Sequence, residues 1–435
     1  MTAPALGTAF LLAVVVILIT CRLVTWAVRP LLQPPVVAEM IAGVLLGPSV
    51  LGLVAPSVEH SVFPADLRPV LYVAGQLGLV LFMFQAGYEF RTDRIRPVAR
   101  TAALISTAGI LAPLSLGAAL TWAVHDSVHA SPPGVPLYVS ALFVGVTLSI
   151  TAFPMLARII TERGLTGTVF GTVSLAAGAL DDVVAWVLLA GVISLSRASA
   201  GPLLLATCGG MGLVVLLAAL AKFRAPLGRA ADRLPPQQLL LATVLLLCLA
   251  SWYTDRMGLY AVFGAFSLGV AIPRTPGIDR VIEAIRPLSG VLLLPLFFTY
   301  SGLNTDTGLL GDGALLLFAA GCTLAAIAGK FGACWLAARV AGQSSPVALR
   351  IGTLMNARGL MQLIAINVGL AEGVVSRSMF TVLVLVALIT TVMATPLLAL
   401  WDRLDGGVGR PRVAEAAGPP PLEEAGAAAA DRSGA

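Results

Sequence analysis

The chain has 435 residues, 58% of them hydrophobic and only 11% charged, with a formal net charge of +5 and a mean hydropathy of +0.94. Soluble domains carry roughly a quarter of their residues as charges, so this composition excludes a water-soluble globule and predicts a polytopic membrane protein. The five cysteines show neither metal-ligand spacing nor a disulfide pattern.

Apolar runs near the ~20 residues that cross a bilayer recur at about 6–28, 35–53, 70–90, 98–122, 137–160, 168–195, 202–221, 237–253, 258–272, 288–303, 313–339, 347–371 and 378–400. They predict about thirteen transmembrane helices. The first run lacks a small-residue cleavage site and reads as a retained helix rather than a signal peptide. With the N-terminus outside, the inner loops collect Arg22 and Arg29, then Arg91, Arg94, Arg96 and Arg100, then Arg158 and Arg163. They continue with Lys222, Arg224, Arg229 and Arg233, then Arg274, Arg280 and Arg286, and finally Arg339, Arg350 and Arg403. The outer loops hold only Arg68, Arg197, Arg256 and Arg377. This asymmetry follows the positive-inside rule and predicts a cell-membrane protein with a cytoplasmic C-terminus. The positive charge is therefore topological, and no nucleic-acid partner is expected. The end of the chain, 403–435, is rich in Ala, Gly and Pro without apolar periodicity and reads as a disordered cytoplasmic tail. It is too short for a nucleotide-binding domain.

Within the apolar runs a few polar residues stand out, because an ionisable group at bilayer depth costs several kcal/mol unless it meets a partner or a wet cavity. The sixth run, "GALDDVVAWV", carries Asp181 and Asp182. The eleventh carries Lys330, the twelfth Asn356 and Arg358, and the fifth contains "TLSITAFP" with Thr147, Ser149, Thr151 and Pro154. Pro154 removes an amide donor and clashes with the preceding turn, so the backbone over 149–152 is expected to unwind and expose carbonyls. The segment "NARG" offers a second break. Glu39 and Glu89 read as interfacial, and His60, His125 and His129 as residues of outer loops.

The two breaks are related by topology. The fifth and twelfth helices lie seven apart and so run in opposite directions, which makes helices 1–6 and 8–13 inverted repeats with the seventh as linker. Two discontinuous helices in corresponding positions mark a transporter's substrate site at the bilayer midplane, and the acids of the sixth helix fall beside it.

The stretches "QPPVVAEMIAGVLLGPSVLG", "LGLVLFMFQAGYEF", "LSITAFPMLARIITERGL", "LDDVVAWVLLA" and "NARGLMQLIAINVGL" resemble the monovalent cation/proton antiporter superfamily, in particular the branch of bacterial sodium/proton antiporters and plant cation/proton exchangers. The resemblance spans about residues 5–402. It implies a homodimer whose protomers combine a dimerisation part, helices 1–3 and 8–10, with a mobile core, helices 4–6 and 11–13. It also implies that Asp182 binds the cation and protons alternately while Asp181 pairs with Lys330. Many electroneutral relatives carry Asn in place of Asp181, and the two-acid form goes with electrogenic exchange. The chain departs from the pattern at Gln362, where relatives often have Glu, and at Gln85, where they often have an apolar residue.

The residues agree with that implication. Sodium, lithium and potassium want oxygen ligands in the manner of hard cations, and Asp182 with Thr151, Ser149 and unwound carbonyls supplies them. Lys330, Arg358 and Asn356 are expected to compensate charge; Arg358 reads as structural, because a guanidinium does not release its proton. No cofactor and no enzymatic activity are expected. An intramembrane aspartyl protease also uses two buried acids, but needs them on different helices, whereas "LDD" places both on one helix about 100° apart. An organic-anion carrier on the same fold would show helix N-termini and basic residues without a free carboxylate pair. Sodium is the expected cation, with potassium as the alternative.

Overall fold

The structure is a computed structural model that describes residues 2–31, 33–90, 98–128, 131–165, 167–197, 201–311 and 313–404. Arg91, Arg94, Arg96, His129 and the tail from 405 onward lie outside the described residues. Among the described residues every regular element is helical, as a chain that must satisfy its backbone polar groups within lipid requires.

The principal helices are α1 (Ala3–Val28), α2 (Pro35–Leu46), α3 (Arg68–Glu89), α4 (Ala99–Ala123), α5 (Leu137–Ser149), α6 (Phe153–Glu162), α7 (Val169–Ser196), α8 (Gly201–Lys222) and α9 (Arg224–Arg233). They continue as α10 (Pro236–Arg256), α11 (Ala261–Ala271), α12 (Pro276–Pro287), α13 (Leu294–Leu303), α14 (Gly313–Ile327), α15 (Ala333–Val340), α16 (Ser345–Met355), α17 (Leu360–Ala371) and α18 (Arg377–Leu404). Two π-helical turns, Leu288–Leu293 and Ala328–Gly332, join α12 to α13 and α14 to α15.

Ten helical stretches among the described residues are long and apolar enough to cross a membrane, and Thr207–Lys222 with Arg224–Arg233, bent by 69°, makes an eleventh if taken as one span. The fifth expected span is divided between the shorter apolar helix Leu137–Ser149 and α6, and the ninth holds the shorter apolar helix Ala261–Ala271. The fifth is short because the chain breaks after Ser149. The ninth begins late because Gly258, at φ 75°, and Tyr260, at φ 62°, turn the chain ahead of it.

Two groups of packing contacts run through the bundle. In one, α3 packs against α11 and α13, α13 against α2, α2 against α1, and α10 against α11. Gly43 of α2 and Gly302 of α13 make the closest of these approaches: a Cβ at either position would run into the other helix's backbone, so small residues set the helix spacing here. In the other, α4 packs against α5, α7 and α15, α7 against α16, and α14 and α16 against α18.

Candidate functional site

Residues 150–152 and 356–359 are non-helical or bent and separate α5 from α6 and α16 from α17. Pro154 sits in the first turn of α6, where its missing donor costs nothing, so the proline starts the second half-helix and the break precedes it. At the second break Gly359 adopts φ 136°, a conformation that a side chain rarely permits. The two breaks touch. Ala152 N donates to Ala357 O at 3.4 Å, and Thr151 Oγ1 donates to Met355 O at 3.1 Å.

Four half-helix ends therefore converge, each with unsatisfied backbone groups and a fractional charge. The C-terminal end of α5 is met by two wholly buried cations. Lys330 Nζ donates to Ser149 O at 2.5 Å, and Arg358 donates through Nη1 to Thr147 O at 3.4 Å and through Nη2 to Ala326 O at 3.2 Å. Both side chains are wholly buried. Arg358 thus serves the backbone, and its place in the fold is that of a cap on broken helices.

Asp181 is saturated. Lys330 Nζ lies 2.7 Å from its Oδ2, Thr151 Oγ1 donates to the same oxygen at 2.8 Å, and Ser106 Oγ donates to Oδ1 at 2.6 Å. Lys330 reaches it from the π turn Ala328–Gly332, one of the irregular turns that recur at functional sites. Gly109 of α4 leaves room for it, since a Cβ there would crowd Cys334 Sγ and come within 3.5 Å of Lys330 Nζ.

Asp182 is the opposite. It is 5% exposed, yet neither carboxylate oxygen accepts a hydrogen bond from any described residue. The Phe153 N–H at the head of α6 bears on it, so the positive end of that half-helix faces a carboxylate. Asn356 Oδ1 and Ser174 Oγ are also buried without a partner. Ser149 turns its hydroxyl to Val146 O at 2.7 Å and presents its carbonyl to Lys330, in line with the exposed carbonyls expected over 149–152. Ser106 was not singled out by sequence reasoning; a serine in "AALISTAGI" carries no signal beyond its polarity.

Around this centre, Gln85 donates to Ser289 Oγ at 2.6 Å and to Leu81 O at 3.0 Å. Gln362 is fully buried with neither amide atom partnered. Glu39, expected at the interface, is buried inside the bundle at 8% exposure, because α2 is sandwiched between α1 and α13. Glu89 is half-exposed and pairs with Arg286 at 2.7 Å.

Residues 11–401 match the family described as "Sodium/hydrogen exchanger, transmembrane". The chain belongs to that family. This exchanger is 37% identical over 399 residues to the Na(+)/H(+) antiporter NhaS4 of Synechocystis sp., covering 88% of the chain and 95% of the relative. It is 35% identical over 402 residues to cation/H(+) antiporter 17 of Arabidopsis thaliana and 31% identical over 404 residues to K(+)/H(+) antiporter 1 of Saccharomyces cerevisiae. In these two pairs the alignments cover 89% and 90% of this chain but 47% and 46% of the relatives, so the exchanger spans about half their length. Its fold matches a structure of the sodium proton antiporter MjNhaP1 from Methanocaldococcus jannaschii with a TM-score of 0.66 at 17% identity, over 93% of this chain and 97% of the other. The exchanger is thus a multi-pass membrane protein of a cation/proton antiporter family.

Proposed function

We propose that this exchanger moves sodium out of the cytoplasm against inward protons across the cell membrane, with Asp182 as the group that binds sodium and protons in turn. The observation that carries the reading is the contrast between the two acids. Asp181 is fully occupied by Lys330, Thr151 and Ser106, whereas Asp182 is buried with no side-chain donor on either oxygen among the described residues and only the Phe153 N–H bearing on it. A carboxylate in that setting needs a counter-ion, and a proton or a cation meets the need equally well. The two therefore compete for one site. Thr151 Oγ1, the Ser149 carbonyl and Asn356 Oδ1 stand on the same crossing as oxygen donors for a hard cation.

Occupied, the core carries less net charge and is free to cross; empty and charged, it is held. That rule couples the two fluxes. We propose that helices α4 to α7 and α14 to α18 form the moving core, that α1 to α3 and α10 to α13 form the static part of a homodimer with α8 as the linker, and that the core shifts as an elevator. The N-terminus is assigned to the outside by the arginine asymmetry, and the cycle to an electrogenic one by the second acid. No enzymatic step and no cofactor enter the cycle.

Potassium is the competing cation, favoured by the K(+)/H(+) antiporter name of the yeast relative. Purified protein in proteoliposomes, given a pH gradient and sodium, lithium or potassium in turn, tests the whole reading. Cation-dependent dissipation of the gradient with sodium or lithium is expected; a response to potassium alone would reassign the cation, and no response to any of the three would overturn the function.

A further inference from the structure

Asp182 lies between two sets of stacked rings. One helical turn toward the C-terminal end of α7, Trp186 is 4% exposed and stacks on Tyr260 with ring centroids 5.2 Å apart and planes tilted by 38°. One turn toward the other end, Gly178 faces Leu156 and Phe153 of α6. The Phe153 ring meets Phe90 edge-on at 5.1 Å and Phe266 at 5.7 Å, and those two rings lie 5.9 Å apart. Such offset and edge-to-face pairs are the favoured arrangements of aromatic rings.

The two sets share one support. Tyr260 is the N-cap of α11 and Phe266 lies within it, six residues further on, or about 9 Å along the axis. Phe153 and Trp186 come from helices assigned above to the core, and Phe90, Phe266 and Tyr260 from the static part. Each stack thus crosses the boundary between the two parts, one on each side of Asp182. The support is also strained: among the described residues Tyr260 is the one non-glycine with positive φ, at φ 62° and ψ 144°. A backbone held in a sparsely populated region persists only where its surroundings over-determine it, and marks a position with a task.

We propose that these stacks are paired gates, Trp186–Tyr260 closing the route to Asp182 from the side of Arg197 and Glu372, and Phe153–Phe90–Phe266 closing the route from the opposite side. Both are shut here, which accounts for a carboxylate that is 5% exposed in a protein that must deliver ions to it. Because Phe153 and Trp186 ride on the core and Phe266 and Tyr260 on one static helix, a tilt of the core during its shift that parts one stack presses the other together, so the two routes are not open together. The ring residues are positioning residues: they control access and contribute no ligand. The purpose of the gates rests on the transport reading, but their existence does not.

The test replaces Cys21, Cys208, Cys248, Cys322 and Cys334 with alanine, installs Asp182→Cys as a reporter, and applies a membrane-impermeant methanethiosulfonate cation to either face of oriented vesicles. The parent is expected to react slowly from both faces. Tyr260→Ala or Trp186→Ala should accelerate labelling at least tenfold from the Arg197 face alone, and Phe266→Ala from the opposite face alone. Tyr260→Phe, which keeps the ring, should react like the parent, and Tyr260→Gly, which removes the ring and relaxes the backbone, like Tyr260→Ala. Unchanged rates, or equal acceleration from both faces, would overturn the gates.

A second measurement avoids the reporter. With all native cysteines and Asp182 in place, Tyr260→Gly should change the apparent KM for sodium presented from the Arg197 face at least threefold relative to the other face; equal values would count against the gate. Absence of exchange in the wild type together with face-selective labelling would sink the transport reading and leave the gates standing.

Discussion

Lys330 and Asp181 form an ion pair, Nζ to Oδ2 at 2.7 Å, with both side chains at zero exposure. Removing one member of such a pair leaves an uncompensated buried charge, which costs about 3–5 kcal/mol. Lys330→Ala is therefore expected to lower the melting temperature of the detergent-solubilised protein by several degrees. The double variant Lys330→Ala with Asp181→Ala should recover much of that loss, because no orphaned charge remains. Equal stability of Lys330→Ala and wild type would show that the pair contributes nothing.

Asp182 makes the complementary prediction. No side chain among the described residues donates to it, and the amide oxygen of an asparagine can still face the Phe153 N–H, so Asp182→Asn is expected to leave the melting temperature at or above the wild-type value while abolishing cation/proton exchange. The amide has the shape of a protonated acid that never releases its proton. Vigorous exchange by this variant would remove Asp182 from the centre of the mechanism.

Much of this centre was legible in the sequence, and the reason is local. Asp181, Asp182, Lys330 and Arg358 are charges inside apolar runs, and Pro154 and "NARG" are breaks inside helical ones; each is conspicuous without knowing what surrounds it. What was not legible depends on neighbours distant in the chain. Ser106 reaches Asp181 across 75 positions, and nothing in "AALISTAGI" separates it from serines such as Ser115, whose hydroxyl serves Leu111 O in its own helix. That the Ser149 carbonyl meets Lys330 while its hydroxyl serves Val146 O depends likewise on Lys330 approaching the end of α5 from another helix. The stacks around Trp186 and Phe153 were invisible for the same reason: aromatic residues are common in membrane helices, and only packing reveals which of them meet.

Glu39 belongs with the residues that the fold relocated. Its Oε2 is buried without a hydrogen-bond partner among the described residues, and Arg158 bears on it across the boundary between α2 and α6. Glu39→Gln keeps the volume and deletes a poorly compensated charge, so at pH 8 it should raise the melting temperature by a few degrees. Glu39→Ala, which leaves a cavity as well, should lower it. A fall in stability with the glutamine variant would mean that the carboxylate is better paired than its surroundings indicate.

The last expectation concerns charge balance and follows from how Asp181 is held. In the present arrangement Lys330 is shared between the Asp181 carboxylate and the Ser149 carbonyl, and Thr151 Oγ1 is shared between Asp181 and Met355 O. Thr151 and the Ser149 carbonyl are also oxygen donors proposed for the cation. A cation that recruits them loosens the Asp181–Lys330 pair as it binds, and the freed pair gives up a proton in addition to the one displaced from Asp182. Two protons then exchange for one sodium, and the cycle carries net charge. A potential of 100 mV acts on each net charge with ~2.3 kcal/mol, so an inside-negative potential should accelerate sodium extrusion, and clamping it to zero with potassium and valinomycin should slow it. Asp181→Asn leaves Asp182 in place and removes the partner of Lys330; it is expected to retain some exchange while losing most of its dependence on potential. If wild-type exchange in liposomes ignores the potential, the two-acid mechanism fails for this protein, and Asp181 is a structural partner of Lys330 beside a single working carboxylate.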